Sequence, residues 1–140
     1  MTVIDGTNLI LGRLATTTAK KIMNNEKIDI VNAEKIVITG TKESLLAKYK
    51  IRLESAQKGN PRKGPKYSRM PDKIVKKAIR GMLPWKSSRG KSAYRNLKIH
   101  IGVPKEFASV KMETVELARN KLEKGFMTVE SVSKLLGAKW

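Results

Sequence analysis

Residues 2–40 read TVIDGTNLILGRLATTTAKKIMNNEKIDIVNAEKIVITG, and two different hydrophobic periods alternate along them. Within residues 11–23 the apolar side chains recur at intervals of three and four, which predicts an amphipathic helix. Short apolar or alternating segments predict strands at Thr2–Asp5, Lys27–Ala33 and Ile36–Thr39. The last of these is apolar nearly throughout, which is typical of a strand covered on both faces of a parallel sheet.

The following residues continue this alternation of strands and helices. Thr41 is placed to cap a second helix, whose apolar face is formed by Leu45, Leu46, Tyr49 and Leu53. The resulting order, β-α-β-β-α, favours a layered α/β domain. Farther along, Lys98–Val103 predicts a strand, and the apolar spacing near residues 115–122 and 129–136 predicts two helices. No internal repeat or domain boundary is visible, so we expect residues 1–140 to form one domain.

The most basic part of the chain is Gly59–Lys91, which reads GNPRKGPKYSRMPDKIVKKAIRGMLPWKSSRGK. It carries eleven Lys and Arg side chains against one acid, Asp72. The whole chain has 30 basic and 12 acidic residues and a formal net charge of +18. Such a charge density indicates a polyanionic partner, which can be RNA, DNA or an anionic membrane surface. Nucleic acid is the commonest dense polyanion in a cell.

This basic region divides into three parts. Residues 58–69, the basic arm, lack an apolar pattern and contain Gly and Pro, so we expect an irregular loop that becomes ordered on its partner. Residues 71–83 predict a helix with an apolar stripe on one side. Its second stripe is basic and consists of Lys73, Lys76, Lys77 and Arg80. Residues 85–91 predict a short basic loop.

Catalytic and metal-binding patterns are missing from the sequence. There is no cysteine, and the one histidine, His100, lies in a predicted strand. Asp5, Asp29 and Glu34 are near predicted strand ends, but scattered carboxylates are common in proteins. We therefore expect no enzyme activity, no cofactor and no metal. No run approaches the roughly 18 apolar residues of a membrane span, so we expect a cytoplasmic protein that does not enter a membrane.

One further cation and two aromatic residues complete the candidate nucleic-acid contacts. Arg13 lies at the predicted start of a helix, where phosphates bind readily. Tyr67 and Trp85 lie within the basic run and can stack on unpaired bases. Each of the two aromatic residues can equally anchor its loop on the core of the protein.

Four segments resemble a known family. They are IDGTNLILGRLA at Ile4–Ala15, IVNAEKIVITG at Ile30–Gly40, GPKYSRMPDKIVKKAIRGMLPWKSSRGK at Gly64–Lys91, and KIHIGVP at Lys98–Pro104. The chain resembles the large-subunit ribosomal protein L-thirteen family, in its archaeal and eukaryotic branch, over nearly its whole length. The most specific match is the helix end RGMLP at Arg80–Pro84, followed by a basic loop. Without the N-terminal extension of bacterial members or the long C-terminal extension of eukaryotic ones, the chain is expected to be of archaeal type.

The resemblance implies a fold, a function and a set of contacts. The fold is a three-layer α/β/α domain around a central parallel sheet of four strands, with an extended basic loop. The function is structural binding of large-subunit rRNA, beside neighbouring large-subunit ribosomal proteins and without a small-molecule substrate. The implied rRNA contacts are Lys58, Arg62, Lys63, Lys66, Arg69, Lys73, Lys76, Lys77, Arg80, Lys86, Arg89 and Lys91.

Two other classes of function are compatible with the residues. One is an RNA-modifying enzyme on an α/β scaffold, which binding of a nucleotide or of S-adenosylmethionine would support. The other is a DNA-architectural protein, which competition between structured rRNA and duplex DNA would reveal.

Overall fold

A computed structural model of the chain describes residues 2–140. Within them the chain forms helices α1 (Leu11–Met23), α2 (Lys42–Glu54), α3 (Pro71–Gly81), α4 (Ser88–Arg95) and α5 (Val129–Leu135). The strands are β1 (Thr2–Asp5), β2 (Ile28–Val31), β3 (Val37–Thr39), β4 (Leu97–Ile99) and β5 (Phe126–Thr128). Short 3-10 turns lie at Ala33–Lys35, Lys105–Phe107 and Glu116–Ala118. The mixed α/β class predicted from the sequence is confirmed.

The central sheet contains three parallel strands in the order β1-β2-β4. Ile4 lies opposite Ile30, and Ile30 lies opposite Ile99 on its other side. The expected sheet of four parallel strands is therefore not present in residues 2–140. The strand predicted at Ile36–Thr39 is β3, and it pairs antiparallel with β5 in a separate two-stranded sheet.

The departure of β3 from the central sheet has a local cause. Asn32 follows β2 directly and has a φ of 54° in the left-handed region. The 3-10 turn Ala33–Lys35 comes next and redirects the chain before β3 begins. Asparagine tolerates this backbone conformation better than most residues, so the sequence permits the turn, although the period of the strand does not reveal it.

The main hydrophobic core lies between the central sheet and helices α1 and α3. Ile4, Leu14, Ile30 and Ile79 are fully buried in it. The apolar stripe predicted for the helix after Pro71 is confirmed, because Ile74, Val75 and Ile79 are all buried. Burial of this stripe fixes the orientation of α3 and therefore the direction in which its basic stripe points.

The other helix predictions have mixed outcomes. Thr41 caps α2 as predicted, since its hydroxyl accepts a hydrogen bond of 3.4 Å from the amide of Ser44. On the predicted apolar face of α2, however, only Leu45 is buried. The helix predicted near residues 129–136 is confirmed as α5. Overall, α2 is a more exposed helix than its sequence indicated.

The prediction of a helix near residues 115–122 is wrong. This segment holds only the 3-10 turn Glu116–Ala118. Its backbone instead bonds to the beginning of the chain, where the amide of Asn120 donates to the carbonyl of Asn8 and the amide of Ile10 donates to the carbonyl of Ala118. The amide of Asn120 donates to a distant carbonyl, so it cannot also donate to the carbonyl four residues earlier, as a helix there would require.

The predicted basic loop 85–91 also needs correction. Its second half, from Ser88, is the first turn of α4. Ser87 caps this helix by accepting a hydrogen bond of 3.1 Å from Gly90. Similarly, the strand predicted at Lys98–Val103 ends at Ile99, so His100 follows β4 and is not inside it. Residues 55–70 contain no helix or strand.

Candidate nucleic-acid interface

The candidate interface is built on α3, which has two chemically distinct sides. Pro71 occupies the beginning of the helix, where its missing amide hydrogen costs nothing. Asp72 lies in the first turn, near the positive end of the helix dipole. Opposite the buried stripe, Lys73, Lys77 and Arg80 are exposed and Lys76 is half-buried. The helix is thus packed by one side and presents cations on the other.

The basic side of α3 forms one wall of a cleft of about 790 Å³, which we call the basic cleft. The other walls come from the start of α1, from β3, from the second half of α2 and from the end of the basic arm. Eight cationic side chains line it, and no acid does. Of the predicted contacts, those around the cleft are Arg13, Lys66, Tyr67, Lys73, Lys76, Lys77 and Arg80.

Two cations of the cleft were missed by the sequence analysis. Lys48 and Arg52 lie on α2 and line the wall that faces α3. In the sequence they appeared to be ordinary residues of the polar, solvent-exposed face of an amphipathic helix. One signal was available, because residues four apart share a helical face, and Tyr49 lies beside them. Only the tertiary structure shows that this face turns toward the basic stripe.

The remaining predicted contacts lie outside the basic cleft. They are Lys58, Arg62, Lys63, Arg69, Lys86, Arg89 and Lys91. Arg89 has a contact within the protein, since its guanidinium donates a hydrogen bond of 3.2 Å to the carbonyl of Met23 at the end of α1. The backbone of Arg69 is tied to α5, because its carbonyl accepts a hydrogen bond of 2.6 Å from Ser133. The end of the arm is therefore attached to the fold.

Aromatic rings hold some of the cations in place. The ammonium group of Lys77 lies 3.2 Å from the centre of the Tyr67 ring, and the guanidinium of Arg80 lies 4.0 Å from that of Trp85. Trp85 in turn meets Tyr94 edge to face, with ring centres 5.1 Å apart. Such contacts restrict the motion of long flexible side chains and leave their positive charge unchanged. Both aromatic residues of the basic run therefore touch the cation stripe.

The positive charge of this surface is not compensated by acids. Within residues 2–140, ion pairs join Lys21 to Glu113 and Lys134 to Glu130, and Nε2 of His100 lies 2.9 Å from a carboxylate oxygen of Asp29. None of these involves a cation of the basic cleft or of the arm. Like charges held close together repel each other, so binding of an anion would lower the electrostatic energy of this arrangement.

The carboxylates near the ends of the parallel strands have structural partners. Asp29 contacts His100 at 2.9 Å, and Glu34 accepts a hydrogen bond of 2.9 Å from the amide of Gly102. Burial raises the pKa of Asp5, but hydrogen bonds from Asn32 and Thr7 and the charge of Lys35 outweigh it, so the pKa lies below its ordinary value. In the part of the chain that the structure describes, no group of His, Asp or Glu is arranged to hold a metal.

Across residues 2–140, no helix combines the length and the apolar character that crossing a bilayer requires.

Comparison with known proteins identifies relatives of this chain. The family model described as Ribosomal protein L13 matches residues 1–106. A protein of Methanosphaera stadtmanae, named large ribosomal subunit protein uL13, is 48% identical over 100% of this chain and 99% of its own length. Proteins of the same name are 46% identical in Archaeoglobus fulgidus, covering 97% of this chain and 87% of the relative, and 43% identical in Methanococcus maripaludis, covering 100% of both.

These matches span the α1 start, the central sheet and the whole of the basic surface described above. They agree with the resemblance seen in four segments of the sequence, and the relatives are archaeal. The chain therefore belongs to the ribosomal protein L13 family.

Proposed function

We propose that this chain is a structural constituent of the large ribosomal subunit and that it binds large-subunit rRNA through the basic cleft and the basic arm. Its relatives carry the name of a large ribosomal subunit protein. Membership of this family assigns the chain a structural, non-enzymatic role. Its site of action is the ribosome in the cytoplasm, where rRNA and neighbouring ribosomal proteins are its partners.

One observation carries the proposal. Eight cations from α1, α2, the arm and α3 converge on one cleft that no acid lines. Binding of phosphates to such a surface releases counterions from the RNA and relieves the repulsion between the cations. The planar guanidinium groups of Arg13, Arg52 and Arg80 can also donate two parallel hydrogen bonds to the oxygens of a phosphate group. The cleft is thus suited to a folded RNA whose phosphates approach from several directions.

The cations outside the cleft extend this surface. Lys58, Arg62 and Lys63 are exposed on the arm, and Lys86 and Lys91 are exposed around the start of α4. We assign them to phosphates that flank the cleft. Arg89 differs, because its guanidinium is hydrogen-bonded to the end of α1. Its first contribution is to hold α4 against α1, and any contact with RNA is secondary.

Charge reversal on the exposed side of α3 tests the proposal. The variant Lys73→Glu/Lys76→Glu/Lys77→Glu places acids where the phosphates would bind and leaves the buried stripe of α3 intact. A matched control, Lys111→Glu/Lys121→Glu/Lys124→Glu, makes the same change of net charge at three exposed lysines far along the chain. Both variants are first compared with the wild type by circular dichroism and thermal unfolding.

The readouts are affinity for large-subunit rRNA and sedimentation with the subunit before and after RNase treatment. We expect the α3 variant to lose binding and the control to retain most of it. If three phosphate contacts are removed, the slope of log affinity against log salt should fall by roughly two to three. Equal binding by the two folded variants would contradict the proposal.

A further inference from the structure

The basic cleft differs from a simple phosphate groove in the composition of its floor. Besides the eight cations, aliphatic side chains from α1, β3 and α3 line the cleft, among them Leu11, Ile38 and Ile74, and we call these its aliphatic floor. Phosphate groups gain nothing from burial against hydrocarbon. A nucleobase has apolar faces and a polar edge, and small-molecule sites are commonly apolar with a few polar groups. The lining therefore matches a base better than a backbone.

The size of the cleft also limits what can enter it. Its volume of about 790 Å³ lies within the usual range of small-ligand sites, roughly 300–1,000 Å³. A double helix displays its phosphates outside and its bases inside, so it can contact the cationic rim but cannot place a base on the floor. RNA-binding proteins read unpaired bases by stacking them on aromatic side chains.

Two tyrosines supply the aromatic surface. Tyr67 lines the cleft from the arm, and because Lys77 covers one face of its ring at 3.2 Å, a base can stack only on the other face. Tyr49 lines the cleft from α2. Burial raises the pKa of Tyr49, and the charge of Arg52 offsets this only in part, so its hydroxyl is protonated at neutral pH and can donate a hydrogen bond.

We propose that the basic cleft takes one unpaired nucleotide of the RNA. Its base stacks on Tyr67 above the aliphatic floor, and its flanking phosphates contact the cations that α2 and α3 contribute to the cleft. This inference rests on the proposed function, and adds that the RNA segment at the cleft is locally single-stranded. Because every base has an apolar face, stacking here is tolerant of sequence.

The test compares two probes on the full chain. One is a short single-stranded RNA that carries a single 4-thiouridine, and the other is a blunt RNA duplex containing the same strand. We expect Tyr67→Leu, which keeps apolar volume but removes the ring, to weaken binding of the single strand by roughly 5- to 150-fold relative to the duplex. Tyr67→Phe should restore most of this loss because the ring is retained.

A second measurement needs no variant and covers the case in which Tyr67→Leu perturbs the arm. Irradiation of the wild-type complex should crosslink the 4-thiouridine to residues of the cleft, with Tyr67 or Tyr49 among them. Crosslinks confined to Lys58–Lys63, or an unchanged ratio of single-strand to duplex affinity in Tyr67→Leu, would overturn the inference and leave the charge-based function intact. Failure of the wild type to bind large-subunit rRNA, measured in parallel, would instead refute the proposed function.

Discussion

The ammonium group of Lys77 lies 3.2 Å from the centre of the Tyr67 ring, and this contact joins α3 to the end of the basic arm. Lys77 belongs to a helix whose other side is buried, so its position is set by the core. Tyr67 lies in a segment without regular structure. The arm is therefore attached to the fold at this end, by Lys77 and by the bond between Arg69 and Ser133.

This contact predicts how the arm responds to proteases. Off the ribosome we expect trypsin to cut first between Lys58 and Lys66, because a polycationic loop gains little from ordering alone. Lys77→Met should speed this cleavage roughly two- to fivefold, since an exposed cation–π contact contributes about 0.5–1 kcal/mol. Lys73→Met, on the same helix but without this contact, is the control. Mass spectrometry of the earliest fragments measures both rates, and equal rates would show that the contact does not restrain the arm.

The α2 wall of the basic cleft gives a second prediction. Lys48→Glu/Arg52→Glu should lower RNA affinity and reduce the slope of log affinity against log salt by about two. Lys42→Glu/Lys50→Glu makes the same charge change on the same helix at exposed positions outside the cleft, and should alter the slope little. Filter binding from low to moderate salt measures the slopes. Indistinguishable slopes for the two variants would mean that α2 does not face the RNA.

A third prediction concerns the beginning of α4. A Cβ atom at Gly90 would lie 2.2 Å from the carbonyl oxygen of Pro84, so the backbone must move to admit any side chain. We expect Gly90→Ala to destabilise the protein by about 1–3 kcal/mol, as overpacking commonly does. A Cβ at Gly12 meets nothing within 4 Å, so Gly12→Ala in α1 should be neutral or stabilising by up to about 1 kcal/mol. Urea unfolding of both variants provides the comparison, and equal stabilities would contradict this account.

Asp5 predicts a dependence of stability on pH. Its pKa in the folded protein lies below the ordinary value of 3.8, so the unfolded chain binds a proton more readily than the folded one. The stabilisation is therefore complete above the unfolded pKa and is lost as the pH falls through the folded pKa. Asp5→Asn should flatten this part of the curve, as measured by urea unfolding from about pH 5 to pH 2. An unchanged curve would show that Asp5 does not contribute to it.

The helices were the most predictable part of the fold. The bounds of α1 and the apolar stripe of α3 follow from the intervals between apolar residues, and the basic stripe of α3 follows from the intervals between Lys and Arg residues. Both depend only on the 3.6-residue turn. The helix predicted near Val115 failed for the opposite reason. Its apolar spacing fits a helix, but the amide of Asn120 donates to Asn8 and the carbonyl of Ala118 accepts from Ile10, both near the beginning of the chain. Pairing with a distant segment leaves no trace in local spacing.

The strands show the same limit. The sequence of β3 correctly indicates a strand, yet its partner is β5 and its pairing is antiparallel. Which edge a strand joins depends on the path of the chain after Asn32, whose left-handed backbone begins the turn away from the central sheet. In the candidate site, the cations of α3 were visible from their stripe, whereas Lys48 and Arg52 were not.

Charge, helix periods and the family resemblance can all be read from short stretches of the sequence, and they were enough to indicate an α/β protein with a helix that carries a basic stripe. The separation of β3 from the central sheet and the convergence of α2, α3, Arg13 and Tyr67 on one cleft arise only in the folded chain. The physical reason is that burial of the α3 stripe and the turn after β2 set the directions of these elements. Residues distant in sequence can meet at the cleft only after those directions are set.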